Sequence, residues 1–76
     1  MTAQPPHPEL KEHLEKKVRV SLNKDREIIG ILVGYDHFMN LTLRNAIITP
    51  KKGEPSIEVP SVVIRGATVL SFEAIN

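Results

Sequence analysis

The spacing of apolar residues in this 76-residue chain changes near Lys17. Before that point Leu10 and Leu14 lie about one helical turn apart, and Pro8 suits the first turn of a helix. We therefore predict a short amphipathic helix over residues 8–16. Because its apolar stripe contains so few residues, this helix must pack against another part of the fold.

From Lys17 onward apolar and polar residues alternate, which is typical of a half-buried β-strand. After a turn at residues 23–26, residues 28–35 are nearly all apolar and predict a central strand covered on both faces. This strand contains Gly30 and Gly34, which we expect to permit the sharp bending that a small closed barrel requires.

The second half of the chain predicts three more strands, at residues 41–48 with a bend near Asn45, at 61–65 and at 68–74. The charged, proline-bounded segment 50–60 is predicted to form a loop or hairpin tip that is partly extended at 57–59. Gly66 and Ala67 predict a turn. A short helix followed by five strongly bent antiparallel strands indicates a mostly β open barrel rather than a sandwich.

The last two predicted strands create an edge problem. Both are rich in β-branched or aromatic residues and poor in charge, so their unpaired backbones are a hazard for a free monomer. Pairing the fourth strand of one chain with the fifth strand of the next would satisfy both edges. Such head-to-tail contacts close into a ring if the rotation per subunit permits it.

Composition limits what else can stabilise so small a domain. A chain of this length has a marginal core, and it contains no cysteine for disulfides or thiolate metal sites. The three histidines have no second ligand at useful spacing, so we predict no metal site and no cofactor. Oligomerisation is the remaining means of stabilisation.

Cellular location and charge are only loosely indicated by the residues themselves. The lack of cysteine fits a cytosolic or nuclear protein, the polar, proline-rich start has no secretion-signal pattern, and the longest apolar run is too short to span a bilayer. The net charge of +1 means that attraction to nucleic acid cannot come from the molecule as a whole. Any RNA binding must therefore depend on a few placed groups.

Two short segments carry candidate chemistry. The loop at residues 36–40 presents Asp36, Phe38 and Asn40, and the fourth strand ends in Arg65 and Gly66. An aromatic ring, an amide and a guanidinium are suited to hold one unstacked nucleobase by stacking and edge hydrogen bonds. No acid–base pair, nucleophile with its base, or phosphate-binding glycine loop is present, so we predict no catalytic residues and no enzyme activity.

Each of these residues also has a purely structural interpretation. Phe38 could be a core aromatic, and Asn40 could stabilise its own loop through an Asx-type bond. Arg65 could be a surface cation that pairs with Asp36 or Glu73. The residues alone leave these alternatives open.

Together, the two segments resemble the Sm/LSm family of RNA-binding ring proteins, and the start of the chain resembles that of its G-type members. The resemblance covers residues 5–75. It rests on a first motif within residues 17–49 and a second within 61–74, and the matching residues are Gly30, Gly34, Tyr35, Asp36, Phe38, Met39, Asn40, Ile64, Arg65 and Gly66. The implied domain spans residues 8–76, behind a flexible tail at 1–7.

The resemblance implies a role for each site residue in binding uridine-rich single-stranded RNA. Phe38 matches the stacking residue, Asn40 the amide that reads the base edge, and Arg65 the cation on the other face of the base. Gly66 lets the backbone come close, and Asp36 holds Asn40 in place. The chain departs from G-type members at Ala67, where they usually carry a polar residue, so one loop hydrogen bond is expected to be missing.

The resemblance further implies a heptameric ring with E-, F- and D-type Sm subunits, in the core of spliceosomal small nuclear ribonucleoproteins. Pre-mRNA splicing, cytoplasmic assembly and nuclear location follow from that expectation. Three alternatives remain: an LSm-type subunit in messenger RNA decay, an archaeal homomeric ring, and a structural ring member whose base site is idle.

Overall fold

The computed structural model describes residues 7–23, 26–50 and 54–75. One short helix precedes five strands, and a 3-10 turn at Gly66–Thr68 separates the last two: α1 His7–Glu12, β1 Lys17–Leu22, β2 Arg26–Tyr35, β3 Leu41–Thr49, β4 Ile57–Ile64 and β5 Val69–Ala74. Residues 1–6 of the predicted tail lie outside the described residues, and its last residue, His7, is the first of α1.

The five strands form one antiparallel sheet in the order β4-β3-β2-β1-β5. Within the described residues, β4 and β5 are therefore the two edges of the sheet, as the sequence predicted. The predicted mostly β fold with a short amino-terminal helix is also confirmed.

The pairing of β2 with β3 is irregular, as is expected in a strongly bent sheet. The register shifts between Ile29 and Ile31 and again between Leu32 and Gly34. A Cβ at Gly30 would lie 3.1 Å from the carbonyl oxygen of Arg44, so this position leaves little room for a side chain. At Gly34 no atom of the described residues lies within 4 Å of such a Cβ, so they impose no steric need for glycine there.

The predicted start of the fourth strand is wrong. β4 begins at Ile57 rather than Ser61 and includes Pro60. Proline is tolerated on an edge strand where pairing is interrupted, and here the β3–β4 register runs from Arg44 opposite Ser61 to Ala46 opposite Val59. Asn45, which lies in the skipped position, has a left-handed φ of 52°, and this is the bend that the sequence placed there.

The helix is shorter than predicted because sheet pairing begins before Lys17. α1 ends at Glu12, and Glu15 has a φ of 66°. The Glu15 N–H donates to the carbonyl of Leu32 at 2.6 Å, and the Leu32 N–H donates to the carbonyl of Lys16 at 3.0 Å. These bonds lie on the central strand β2 and turn the chain directly from α1 into the sheet.

The core lies inside the bend of the sheet, with α1 closing it through Leu10, which is 1% exposed. Its buried members are all apolar: Leu10, Val18, Val20, Ile28, Leu32, Leu41, Leu43, Ala46 and Ile64. Phe72 of β5 packs against this cluster, and its ring lies 5.5 Å from that of His13. None of the helical segments in the described part of the chain could cross a membrane.

Candidate nucleic-acid interface

The loop between β2 and β3 is organised by the carboxylate of Asp36. Its Oδ1 accepts hydrogen bonds from the backbone N–H of Phe38 at 2.9 Å and of Asn40 at 3.0 Å. Two backbone bonds close the same loop: Met39 N–H to the carbonyl of Asp36, and Asp36 N–H to that of Asn40. The Asx-type role that the sequence offered as an alternative for Asn40 is therefore taken by Asp36.

Two neighbouring apolar side chains of this loop differ in their exposure to solvent. Met39 has a left-handed φ of 67° and packs against the core, whereas Phe38 is 78% exposed. A left-handed backbone is costly for a residue with a large side chain, and the bonds to Asp36 hold it in place. Phe38 is thus not a core aromatic.

Asn40 links the two candidate segments. Its Nδ2 donates to Oδ2 of Asp36 at 3.0 Å, and its Oδ1 accepts from the backbone N–H of Gly66 at 2.8 Å. These two bonds fix which end of the amide is oxygen and which is nitrogen. One N–H and one lone pair of the amide remain for a ligand.

The second segment approaches the first so closely that only glycine fits at residue 66. A Cβ there would overlap the carbonyl oxygen of Phe38 and would lie 2.9 Å from two atoms of Met39. The absence of a side chain is what allows the Gly66 N–H to reach Asn40. Arg65, immediately before it, has an extended backbone and an exposed side chain.

Electrostatics favours a charged Asp36. Partial loss of hydration raises its pKa, but the hydrogen bonds from Asn40 and Phe38 and the nearby His37 together lower the pKa below the ordinary value of 3.8. The carboxylate is consequently an acceptor at neutral pH, which is the form that its three hydrogen bonds require.

The two segments line one shallow, open cavity of about 610 Å³, formed by Phe38, Met39, Asn40, Arg65, Gly66 and Ala67. Four of the five predicted site residues therefore meet at its wall, and Asp36 holds the loop from which two of them project. In the described ion pairs Glu73 contacts Arg19, at 3.4 Å, rather than Arg65.

Sequence reasoning did not give structural roles to two residues at this site. Met39 was noted only as a motif match. Its left-handed backbone accompanies a change of direction in the loop, so that Met39 packs against the core while Phe38 is exposed. Thr68 was not singled out at all, and its hydroxyl donates to the carbonyl of Arg65 at 2.8 Å. A threonine three residues after a strand end is too common a pattern to have indicated this bond.

No group of three metal-ligating side chains lies together in residues 7–23, 26–50 and 54–75. The arrangement at the cavity offers an aromatic face, a guanidinium, one amide donor and one amide acceptor. These groups can bind a flat, polar-edged molecule.

Comparison with known proteins gives the same family at three levels. The LSM domain family matches residues 8–74. The chain is 39% identical to small nuclear ribonucleoprotein G of Schizosaccharomyces pombe, over 91% of this chain and 88% of that protein. It is 36% identical to the Saccharomyces cerevisiae protein of the same name, over 91% and 92%.

Solved structures with this fold include archaeal Sm proteins. The Pyrococcus abyssii Sm protein in complex with a uridine heptamer superposes with a TM-score of 0.84 at 33% identity, covering 95% of this chain and all of that one. A heptameric archaeal Sm protein gives a TM-score of 0.80 at 30% identity, covering 91% and 98%.

Proposed function

This chain belongs to the LSM domain family, and from that premise we propose that it is an RNA-binding subunit of a heptameric Sm ring. Its ligand is uridine-rich single-stranded RNA, and its place is the core of a spliceosomal small nuclear ribonucleoprotein, which serves pre-mRNA splicing. The relatives named small nuclear ribonucleoprotein G support this assignment. Its neighbours in the ring are E-, F- and D-type Sm subunits.

The observation that carries the base-binding part of the proposal is the doubly tethered amide of Asn40. Because Asp36 and Gly66 each hold one end of it, its free N–H and free lone pair point in fixed directions. Uracil offers an acceptor oxygen next to an N–H donor, which matches one donor and one acceptor side by side. Reading the base edge in this way adds selectivity that stacking alone lacks.

Stacking supplies the rest of the affinity. Phe38 presents an exposed ring on one side of the cavity, and Arg65 brings a guanidinium to the same cavity. A base held between the two gains roughly 1–3 kcal/mol from stacking. Binding through a few placed groups is consistent with a net charge of only +1. Asp36 and Gly66 act by positioning these groups.

Ring formation is proposed to use the two sheet edges. Val63 on β4 and Leu70 on β5 are 65% and 67% exposed, and β4 and β5 are the outer strands of the described sheet. Pairing β4 with the β5 of the next subunit would cover both. We place the assembled particle in the nucleus and its assembly in the cytoplasm. The proposed activity is binding, with no bond broken and no catalytic residue.

A homomeric ring of the archaeal type is the second candidate, because the archaeal Sm structures superpose well on this chain. Native mass spectrometry of the purified chain separates the two. A monomer or small oligomer that forms a defined heptamer only with E-, F- and D-type partners supports the heteromeric proposal. A heptamer of this chain alone supports the homomeric ring, and a chain that stays monomeric with every Sm or LSm partner refutes both.

The base site is tested on the assembled ring with labelled oligouridylate. Replacing Phe38, Asn40 and Arg65 together should weaken binding, and fluorescence anisotropy measures the change. If the triple variant assembles normally and binds as tightly as the parent ring, the site of this subunit is idle and its contribution is structural.

A further inference from the structure

The carbonyl of Arg65, at the start of the turn Gly66–Thr68, is held by Thr68, while the N–H of Val69 bonds to the carbonyl of Gly66. The hydroxyl of Thr68 donates to the carbonyl oxygen of Arg65 at 2.8 Å, and its backbone N–H donates to the same oxygen at 3.0 Å. One carbonyl thus accepts two hydrogen bonds from one residue. In the part of the chain that the structure describes, the Arg65 side chain makes no capping hydrogen bond at the start of this 3-10 turn.

These two hydrogen bonds to one carbonyl oxygen set the orientation of the peptide unit between Arg65 and Gly66. The peptide that begins with the Arg65 carbonyl ends with the N–H of Gly66, and a peptide unit is planar. Fixing the carbonyl therefore aims the Gly66 N–H, which donates to Oδ1 of Asn40 at 2.8 Å. The same constraint fixes the backbone from which the guanidinium of Arg65 projects.

Ala67 makes this dependence stronger. It lies between the two ends of the turn and is exposed, and its methyl group can form no hydrogen bond. Of the side chains in the turn at Gly66–Thr68, only that of Thr68 can make one. Any side-chain hydrogen bond made within this turn therefore comes from Thr68.

We propose that Thr68 is a positioning residue for RNA binding: through its hydroxyl it orients the peptide between Arg65 and Gly66, and so aligns the guanidinium and the Asn40 amide on one base. This inference rests on the proposed function and assigns a specific part of it. Thr68 is not proposed to touch RNA.

Two pairs of variants isolate the hydroxyl. Thr68→Val removes the hydroxyl while keeping the size and branching of the parent side chain. The comparison of Thr68→Ser with Thr68→Ala removes the hydroxyl from a smaller side chain. We expect each loss to weaken oligouridylate binding to the assembled ring by about 2- to 10-fold, the range that one hydrogen bond gives. Thr68→Ser should bind nearly as tightly as the parent, and if Thr68→Val fails to assemble, the Ser and Ala pair decides.

A matched control exists at the other end of β3. Thr49 forms a hydroxyl–hydroxyl bond with Ser56 at 3.3 Å, away from the cavity. Thr49→Val should leave binding unchanged. If it weakens binding as much as Thr68→Val, loss of a hydroxyl acts through general stability and the positioning role is refuted.

Combination with Arg65→Ala tests the route by which Thr68 acts. If Thr68 positions Arg65, removing its hydroxyl must have a smaller effect once the guanidinium is gone, because residues that act together are not additive. A full, additive effect in that background excludes the route through Arg65, and a full, additive effect with Asn40→Ala as well overturns the proposal. If Arg65→Ala weakens binding and both hydroxyl pairs change nothing, only this inference fails, whereas an Arg65→Ala ring that binds normally argues against the proposed base site itself.

Discussion

The base-site loop and the sheet edges both expose apolar side chains, but on very different backbones. Phe38 is 78% exposed on a loop whose N–H groups bond to Asp36. Val63 and Leu70 are 65% and 67% exposed on strands that border the sheet. The loop is complete without a partner, whereas each edge leaves a row of backbone groups with no neighbouring strand in the described chain.

This difference indicates two kinds of ligand. The aromatic side chain of Phe38 lies on a loop whose backbone N–H groups are already hydrogen-bonded. It therefore offers a face for stacking to a small flat molecule, without strand-like backbone that could pair. An exposed apolar residue on an edge strand comes with unpaired backbone, which favours another strand. We therefore expect changes at the edges to act on assembly, and changes at the loop to act on RNA binding.

A charge introduced on an edge strand should weaken ring assembly more than any other change considered below weakens RNA binding. Val63→Lys would place a charge without a partner in a subunit contact, which costs several kcal/mol, so affinity for ring partners should fall by roughly 100-fold or more. The folded monomer should be unaffected, because Val63 is already exposed. Native mass spectrometry with Sm partners measures the first quantity and thermal unfolding the second.

Glu12→Lys, at an exposed position of α1, introduces the same side chain outside the two edge strands and should assemble normally. Normal rings from Val63→Lys would show that β4 is not a subunit contact.

The next largest effect is at the meeting point of the loops. Gly66→Ala would push a methyl group into the backbone of Phe38 and Met39, and overpacking of this kind costs about 1–3 kcal/mol. Oligouridylate affinity per site should fall about 10- to 100-fold, while the ring still forms. Gly34→Ala is the matched control, since none of the residues that the structure describes lies within 4 Å of the added atom. Equal binding by the two variants would contradict the close approach at Gly66.

Replacing the exposed aromatic side chain of Phe38 should have a smaller effect on RNA affinity. Phe38→Leu keeps an apolar side chain but removes the stacking face, so affinity should fall about 5-fold, toward the lower end of what stacking supplies. Its melting temperature should match that of the parent. Phe72→Leu should do the reverse, because that ring packs on the core and beside His13. A lower melting temperature for Phe38→Leu would show that its ring has a packing role.

The smallest effect is the pH dependence of the loop. The pKa of Asp36 is lowered in the folded chain, so its contribution to stability is fully present above the ordinary value of 3.8 and is lost as pH falls through the lower, folded value. Between about pH 5 and 8 Asp36 should therefore cause no change in binding. NMR titration of the Phe38 and Asn40 amides checks this, and a transition of both amides near neutral pH that Asp36→Asn removes would contradict it.

Where local residue chemistry set the backbone, sequence reasoning was accurate. The alternation after Lys17 marked β1, and Asn45 marked the bend in β3, because side-chain period and turn preference are local properties. Sequence reasoning was wrong where pairing between distant segments determined the bounds of an element. Residues 15 and 16 hydrogen-bond to the central strand β2 instead of continuing the helix. Pro60 is accommodated inside β4 because β4 is an edge strand.

The candidate site divides in the same way. The amino-acid pattern alone specifies which groups the site offers, an aromatic, an amide, a guanidinium and a glycine, and which strand positions are apolar. The three-dimensional fold was needed to show that Asn40 accepts a hydrogen bond from Gly66 and that Thr68 bonds to the carbonyl of Arg65. Residues 40 and 66 are distant in sequence, and the direction of a hydrogen bond between them depends on where the bent sheet brings the two loops together.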